Sequence, residues 1–221
     1  MVKPSFGILH IPRYASHSGT AQEPFKYAIA LTGGIATGKS TVCNILKLYG
    51  FSIIDADKIA HKVLEEQKKT ISKIFGKEYI KDNKVDRKKL AKLIFSDKDA
   101  KKSLEKLLHP LIKERIIEES LKLEKYKVPY IIDIPLFFET KNYPIKRVMV
   151  VYAPKEIQLK RLMKREGLDE VEAKKRISSQ IDIEEKKKLA NFVIDNSKDL
   201  KHLQKEIEKF IQKVENEYSK I

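Results

Sequence analysis

Three kinds of side chain in this sequence have the type and spacing for phosphate chemistry. The first is a lysine followed by a hydroxyl, Lys39-Ser40, set behind Gly33-Gly34-Ile35-Ala36-Thr37-Gly38 and followed by Thr41. Glycine at 33 and 38 opens backbone conformations closed to residues with a Cβ, so that successive N–H groups can turn inward on a phosphate. Lys39 adds a point charge there, and the Ser40 hydroxyl can ligate magnesium. The second kind is carboxylate: Asp55 and Asp57 in Asp55-Ala56-Asp57, and Asp133 closing the apolar stretch Val128 to Ile132. Such a group can take a proton from a hydroxyl or hold a divalent cation. At 55 and 57 it can equally cap a helix or close a turn, and both uses stay open on these residues alone. The third kind is guanidinium. Of seven arginines, Arg161, Arg165 and Arg176 lie within sixteen residues of one another. Arg161 and Arg165 are one helical turn apart and share a face, and planar guanidinium forks suit phosphate oxygens. Pairing with Glu166, Asp169, Glu170 and Glu172 around Gly167 is the plainer use of the same charges. Their concentration in an otherwise lysine-rich chain favours the phosphate role. His109 reads as a packing or capping residue, because no second metal ligand lies at helical spacing from it.

These groups act together only if the fold delivers them to one edge. The apolar run Ala28 to Leu31, the glycine-bearing loop and the helical pattern Val42, Ile45, Leu46, Tyr49 supply the strand, loop and helix of a Walker A phosphate site. A second strand, Phe51 to Ile54, ends at Asp55. A third, Val128 to Pro135, resembles a Walker B strand that closes on an acid able to hold magnesium. Arg147 to Tyr152 is the fourth, and Phe192 to Ile194, before Asp195-Asn196-Ser197, the fifth. An amphipathic helix through Leu200, Leu203, Ile207, Phe210, Ile211 and Val214 closes the chain. Between Val63 and Tyr126 helical periodicity predominates with no convincing strand, and His109-Pro110 predicts that a new helix starts at Pro110. Five apolar strands alternating with helices imply an α/β fold of the P-loop NTPase type. Its mostly parallel five-stranded sheet, covered on both faces, takes the nucleotide at the carboxyl ends of the strands.

Bulk properties narrow the class. A chain of 221 residues with 42% hydrophobic content suits one domain, or a core domain with a sizeable insertion. No apolar run approaches the roughly 20 residues of a membrane span. Cys43 is the only cysteine, so an intrachain disulfide is excluded and a reducing, cytoplasmic setting is expected. The formal net charge of +15 invites a nucleic-acid reading. Most of that charge is lysine interleaved with glutamate, as in Glu184-Glu185-Lys186-Lys187, which is the pattern of a solvated helix face; no specific nucleic-acid partner is expected. Residues 1–26 carry Pro4, Pro12, Pro24, Gly7 and Gly19 without a sustained period and read as an irregular extension. A GTPase is disfavoured: no glycine has an aspartate three positions before it, and Asn83-Lys84-Val85-Asp86 spells N-K-x-D only within a charged, helical-looking region.

Seven short patterns, in order from Tyr27 to about Asn196, resemble one family, dephospho-coenzyme A kinase. They are A-L-T-G-G-I-x-x-G-K-S-T at Ala30 to Thr41, I-D-A-D-x-I-A at Ile54 to Ala60, L-H-P-L-I at Leu108 to Ile112 and I-P-L-F-F-E at Ile134 to Glu139. Q-L-x-R-L-x-x-R at Gln158 to Arg165, R-I-x-x-Q at Arg176 to Gln180 and V-I-D-N at Val193 to Asn196 complete the set. Another small-molecule P-loop kinase, for a nucleoside or nucleoside monophosphate, would share the loop and the lid but not D-A-D, L-H-P and V-I-D-N together. The chain departs from the family's usual pattern with Ala36 in place of a glycine and His61 where arginine is common. Alanine at 36 implies a backbone angle there that a Cβ tolerates.

The resemblance implies transfer of the γ-phosphoryl group of ATP to the ribose 3′-hydroxyl of dephospho-coenzyme A. It makes Asp57 the expected general base, and it places the ATP phosphates on the loop Gly33, Gly34, Ile35, Ala36, Thr37, Gly38, Lys39, Ser40 and Thr41. Ser40 and Asp133 would hold Mg2+. Arg161 and Arg165 would close over the phosphates and exclude water, and Asn196 with its neighbours would lie beside the adenine. By the same resemblance, residues 27–62, 128–154 and 190–221 form the nucleotide-binding core. Residues 63–127, with His109 and Pro110, form a helical acceptor-binding region, and 155–189 a helical lid.

Overall fold

The computed structural model describes residues 23–140 and 142–219. The expected extension therefore lies outside the described residues except for 23–26, which lead into the first strand through a turn that buries Phe25. Strand β1 (Ala28–Gly33) is buried at every position. That is what a central strand with parallel neighbours and both faces covered demands, and it is why Ala28 to Leu31 reads as an unbroken apolar run. It pairs in parallel with β5 (Tyr130–Asp133) on one side and β6 (Arg147–Tyr152) on the other. β2 (Ile53–Asp55) joins outside β5 and β7 (Phe192–Asp195) outside β6, giving the order β2-β5-β1-β6-β7, all parallel. The chain reverses direction across the sheet at β1, so the carboxyl ends of β1, β5 and β2 open on one crevice.

Register brings the acids to that edge. Asp55 pairs with Asp133, and Asp133 pairs with Leu31, two residues before the loop. The helices α1 (Lys39–Leu48), α2 (Ala56–Glu66) and α10 (Leu200–Tyr218) pack against the sheet or one another through apolar stripes. On α10 the stripe is Leu203, Ile207, Phe210, Val214 and Tyr218, and Asp199 caps the helix by accepting from His202 N at 2.8 Å. Among the described residues no helix is long and apolar enough to cross a membrane.

The segment between α2 and β5 departs from the sequence reading in two places. After α3 (Lys68–Phe75), a hairpin forms from β3 (Ile80–Lys81) and β4 (Lys84–Val85), turning on Asp82 at φ 48° and Asn83 at φ 60°. Two consecutive left-handed residues make the turn that tight hairpins favour, and strands of two residues carry too little alternation to be read. The N-K-x-D match therefore lies in a hairpin, not a helix, and ends at Asp86, which caps α4 (Arg87–Ser96) by accepting from Lys89 N at 3.0 Å. The second departure is α5 (Lys98–Glu124), which runs unbroken through Pro110. Proline costs a helix interior about 3 kcal/mol. Here Leu104 and Leu108 before it and Ile116 and Ile117 after it are all buried on one helix, and that burial holds the two halves together. The far end of α5 is fixed by buried Glu124, which accepts from Tyr27 N at 3.0 Å and from the Tyr130 hydroxyl at 2.8 Å.

Candidate active site

The phosphate loop is braced by the strands around it. Gly38, immediately before α1, has φ 91°, and a Cβ there would overlap the Asn196 side-chain amide, so the position requires glycine. Asn196 is buried just past β7. It donates through Nδ2 to Thr37 O at 2.8 Å and through its backbone N to Tyr152 O at 2.8 Å. Thr37 is buried as well and donates from Oγ1 to Gly34 O at 2.9 Å. The Asn196 side chain thus ties the end of β7 to the loop backbone. Ala36 sits at φ 59°, in the left-handed region. The expectation of an angle easy for a Cβ is corrected: alanine carries about 1–2 kcal/mol of backbone strain in that conformation. The amides of Lys39 and Ser40 at the start of α1 have no backbone acceptor among the described residues and lie at the positive end of its dipole, which makes the concavity attractive to phosphate.

At the neighbouring strand ends, the two aspartates of D-A-D take different parts. Asp55 is the N-cap of α2, accepting from Lys58 N at 2.9 Å. Asp57 lies in the first turn of α2 and caps nothing; its side chain is exposed at the crevice. Its pKa is raised from the usual aspartate value, chiefly by desolvation, with Lys39 opposing the rise, Asp133 and Asp55 adding to it and His61 opposing it. A carboxylate partly withdrawn from water and flanked by other acids is poised to receive a proton. Lys39 reaches across the crevice so that Nζ lies 2.5 Å from Asp133 Oδ1. Cys43, on the buried side of α1, donates its thiol to Asp133 Oδ2 at 3.5 Å, and burial followed by the Asp133 charge pushes its pKa up to about 12. Ser40 is exposed at the start of α1.

The arginines separate. They are carried by α7 (Lys155–Glu166) and α8 (Glu170–Ser178). Arg165 is exposed and pairs with Glu166 at 2.6 Å; Arg176 pairs with Glu166 at 2.5 Å and with Glu172 at 3.4 Å. For these two, the self-pairing that the sequence left open is realised. Arg161 differs. It is half-buried, its Nη1 is buried with no hydrogen-bond partner among the described residues, and it lines a pocket of about 350 Å3 with Gly38, Thr41, Asn196, Lys198 and Leu200. His109 and Pro110 are both exposed on α5.

Comparison with known proteins identifies the family. The sequence model of the dephospho-CoA kinase family matches residues 27–202. Dephospho-CoA kinase of Sulfurimonas denitrificans is 54% identical over 194 residues, covering 88% of this chain and 97% of that one. The chain belongs to the dephospho-CoA kinase family. Dephospho-CoA kinase of Helicobacter pylori strain J99 is 45% identical over 85% of this chain and 97% of its own. The solved structure of dephospho-CoA kinase from Campylobacter jejuni superimposes with a TM-score of 0.68 at 42% identity, over 85% of this chain and 96% of that one. Membership makes the chain an ATP-dependent kinase, a phosphoryl transferase.

In this dephospho-CoA kinase fold, one group close to the loop was misread from sequence. Lys186, taken as part of a solvated run, lies on α9 (Ile183–Leu189) and is fully buried, with Nζ 3.0 Å from Gly33 O and 2.6 Å from Glu139 Oε1. Gln180 accepts from Ile35 N at 2.9 Å through Oε1. Glu139 and Gln180 close the I-P-L-F-F-E and R-I-x-x-Q patterns, so those patterns located them without giving them a task. Lys186 had no comparable signal, because a charge run looks the same whether one member turns inward or none does.

Proposed function

We propose that the chain transfers the γ-phosphoryl group of ATP to the ribose 3′-hydroxyl of dephospho-coenzyme A. The observation that carries this reading is the gathering of Asp57, Lys39 and Asp133 where β2, β1 and β5 end beside the phosphate loop. The loop amides and the start of α1 hold the β and γ phosphates, and Lys39 leaves Asp133 to meet them. Asp57 accepts the hydroxyl proton as the acceptor oxygen attacks phosphorus. Arg161, whose buried Nη1 has no partner among the described residues, faces the donor nucleotide from the pocket beside Gly38 and Asn196, while Arg165 meets transferred charge only after it leaves Glu166.

Magnesium fits the residues present. Ser40 and Asp133 are hard oxygen donors at the strand and helix ends. Among the described residues no three His, Cys, Asp or Glu side chains converge as an all-protein metal site, so the ion would be held jointly with nucleotide phosphates, whose charge it offsets. We assign residues 63–127, with His109 and Pro110, to acceptor binding and residues 155–189 to the lid, in a cytoplasmic enzyme.

The test is a panel of acceptors with labelled ATP. Dephospho-coenzyme A is expected to be phosphorylated far faster than any nucleoside or nucleoside monophosphate, with coenzyme A as the product. Faster turnover of a nucleoside monophosphate would overturn the assignment.

A further inference from the structure

The contacts between the phosphate loop and residues 180–186 go beyond packing. Lys186 Nζ donates to the carbonyl of Gly33, the last residue of β1, and pairs with Glu139 Oε1. The same Glu139 oxygen accepts from Ile181 N at 3.2 Å, and Gln180 Oε1 accepts from Ile35 N two residues into the loop. Gln158, buried on α7, lies against Gly34: a Cβ there would press on its Oε1. The first half of the loop is therefore enclosed by side chains from α7, from the α8–α9 connection and from α9, while the second half is tied to β7 through Asn196.

We propose that Lys186, Glu139 and Gln180 are positioning residues for phosphoryl transfer, coupling the return arm of the lid to the first half of the phosphate loop. This rests on the reading of residues 155–189 as a lid. The physical argument has two parts. A buried ammonium is costly unless its bonds are met, and the groups that meet those of Lys186 are a loop carbonyl and a carboxylate from the α6 helix (Phe137–Thr140) after β5. Moving α9 alone would strip the ion of both, so α9, Gly33 and Glu139 shift as one body. The second part is the peptide plane: because the bond is planar, a carbonyl fixed at Gly33 also fixes the direction of the Gly34 N–H. Gln180 does the same one peptide further on, through the Ile35 N–H. Ala36, strained at φ 59°, follows immediately, so the restrained segment ends where the backbone would otherwise relax. Among the described residues Glu139 Oε2 is buried without a partner, which leaves the network sensitive to displacement of the arm.

Three variants of the full chain test this: Gln180→Ala, the double Lys186→Met/Glu139→Gln, and Lys186→Met alone. The double variant removes both charges together, so neither is left buried and unpaired. Gln180 is only half-buried, so its variant keeps the test open if the buried substitutions prevent folding. Turnover, KM for ATP, the ratio of ATP hydrolysed to acceptor phosphorylated, and thermal melting are measured for each. Displacing a reacting group through a remote change costs roughly ten- to a hundredfold in rate, and that loss is expected in kcat for the double variant, with a smaller loss for Gln180→Ala. KM for ATP should change less than kcat, and hydrolysis should rise relative to transfer, which a merely structural role would not produce. Wild-type turnover and coupling in Gln180→Ala, or in a folded double variant, would overturn the proposal. A loss that follows the melting temperature alone would overturn it too. Amide exchange of the wild type with ATP and acceptor separates the underlying reading: no protection across 155–189 would remove the lid, whereas protection with unaffected variants would remove only the coupling.

Discussion

The loop Gly33 to Ser40 and the turn between α7 and α8 both carry positively charged groups, and they are built in opposite ways. In the loop, direction comes from backbone: Gly38 at φ 91°, Thr37 and Gly34 bonded to each other, and Asn196 and Lys186 holding carbonyls from two sides. At the turn between α7 and α8, Arg165 and Arg176 are held by exposed carboxylates on the same two helices, with Glu166 shared between them. A preorganised site costs no rearrangement when charge develops, whereas exposed ion pairs are worth little and exchange readily. The comparison separates a backbone fixed in advance from charges whose present partners can be exchanged.

The largest effect is expected where neither region can substitute for the other. Asp57→Asn should lower turnover by roughly 10²- to 10⁴-fold while ATP affinity stays near wild type, as measured by single-turnover kinetics and equilibrium binding. Near-normal turnover would remove Asp57 from proton transfer. The same residue sets a pH dependence. Because its folded-state pKa is raised, the acid limb of kcat/KM should lie above the ordinary aspartate value of 3.8 and vanish in Asp57→Asn. Raised means that protonation favours the folded state. The stability this gives is complete below the unfolded-state pKa and lost as pH rises through the folded-state value. Asp57→Asn should therefore melt higher than wild type near neutral pH, with the gap closing in acid. Gly38→Ala comes next. Strain at φ 91° and loss of the Asn196 to Thr37 bond should together cost about 2–4 kcal/mol of stability, and ATP affinity should fall with it. Intact ATP affinity would mean that the loop is less rigid than its bonding indicates.

The same contrast decides what the sequence could reveal. Buried parallel strands are nearly uniform in polarity, so β1, β5 and β6 were readable from apolar runs, and Gly38 from the backbone angle its motif requires. Asp55 and Asp57 are not separable by residue type, because a cap and a free carboxylate look alike; the resemblance alone singles out Asp57, and the bond from Lys58 N identifies Asp55 as the cap. Pro110 was misread as a helix start because the local rule is strong, while the burial that overrides it is spread over both sides of it, from Leu104 to Ile117. Lys186 was hidden for a related reason. Its partners, Gly33 and Glu139, lie far away in sequence, and nothing in Glu184-Glu185-Lys186-Lys187 points to them.

Smaller effects sharpen the contrast. Glu166→Gln removes the shared partner of Arg165 and Arg176. Exposed pairs contribute about 0.2–1 kcal/mol each, so losing both should lower stability by about 0.4–2 kcal/mol in thermal melts at low salt, and by less at high salt. If the lid arginines must leave Glu166 to reach substrate, KM for ATP should fall modestly in the variant. A rise would mean that Glu166 places them for binding instead.

The smallest effect tests the loop's rigidity from within. Ala36 lies at φ 59°, where glycine carries no steric penalty, so Ala36→Gly relieves about 1–2 kcal/mol of strain. Glycine also adds freedom to the unfolded chain, which takes back about 0.4–1 kcal/mol. The net gain should be about 0.5–1 kcal/mol, readable as a small rise in melting temperature. Activity then distinguishes two kinds of rigidity. If Asn196, Lys186 and Gln180 fix the loop through their bonds, turnover should be unchanged, because the bonds outlast the Cβ. If the strained alanine itself limits the loop's alternatives, glycine should raise stability while lowering turnover. The bonds on both sides of residue 36 favour the first outcome: Ile35 N is held by Gln180 and Thr37 O by Asn196, so only one residue between them is left to move.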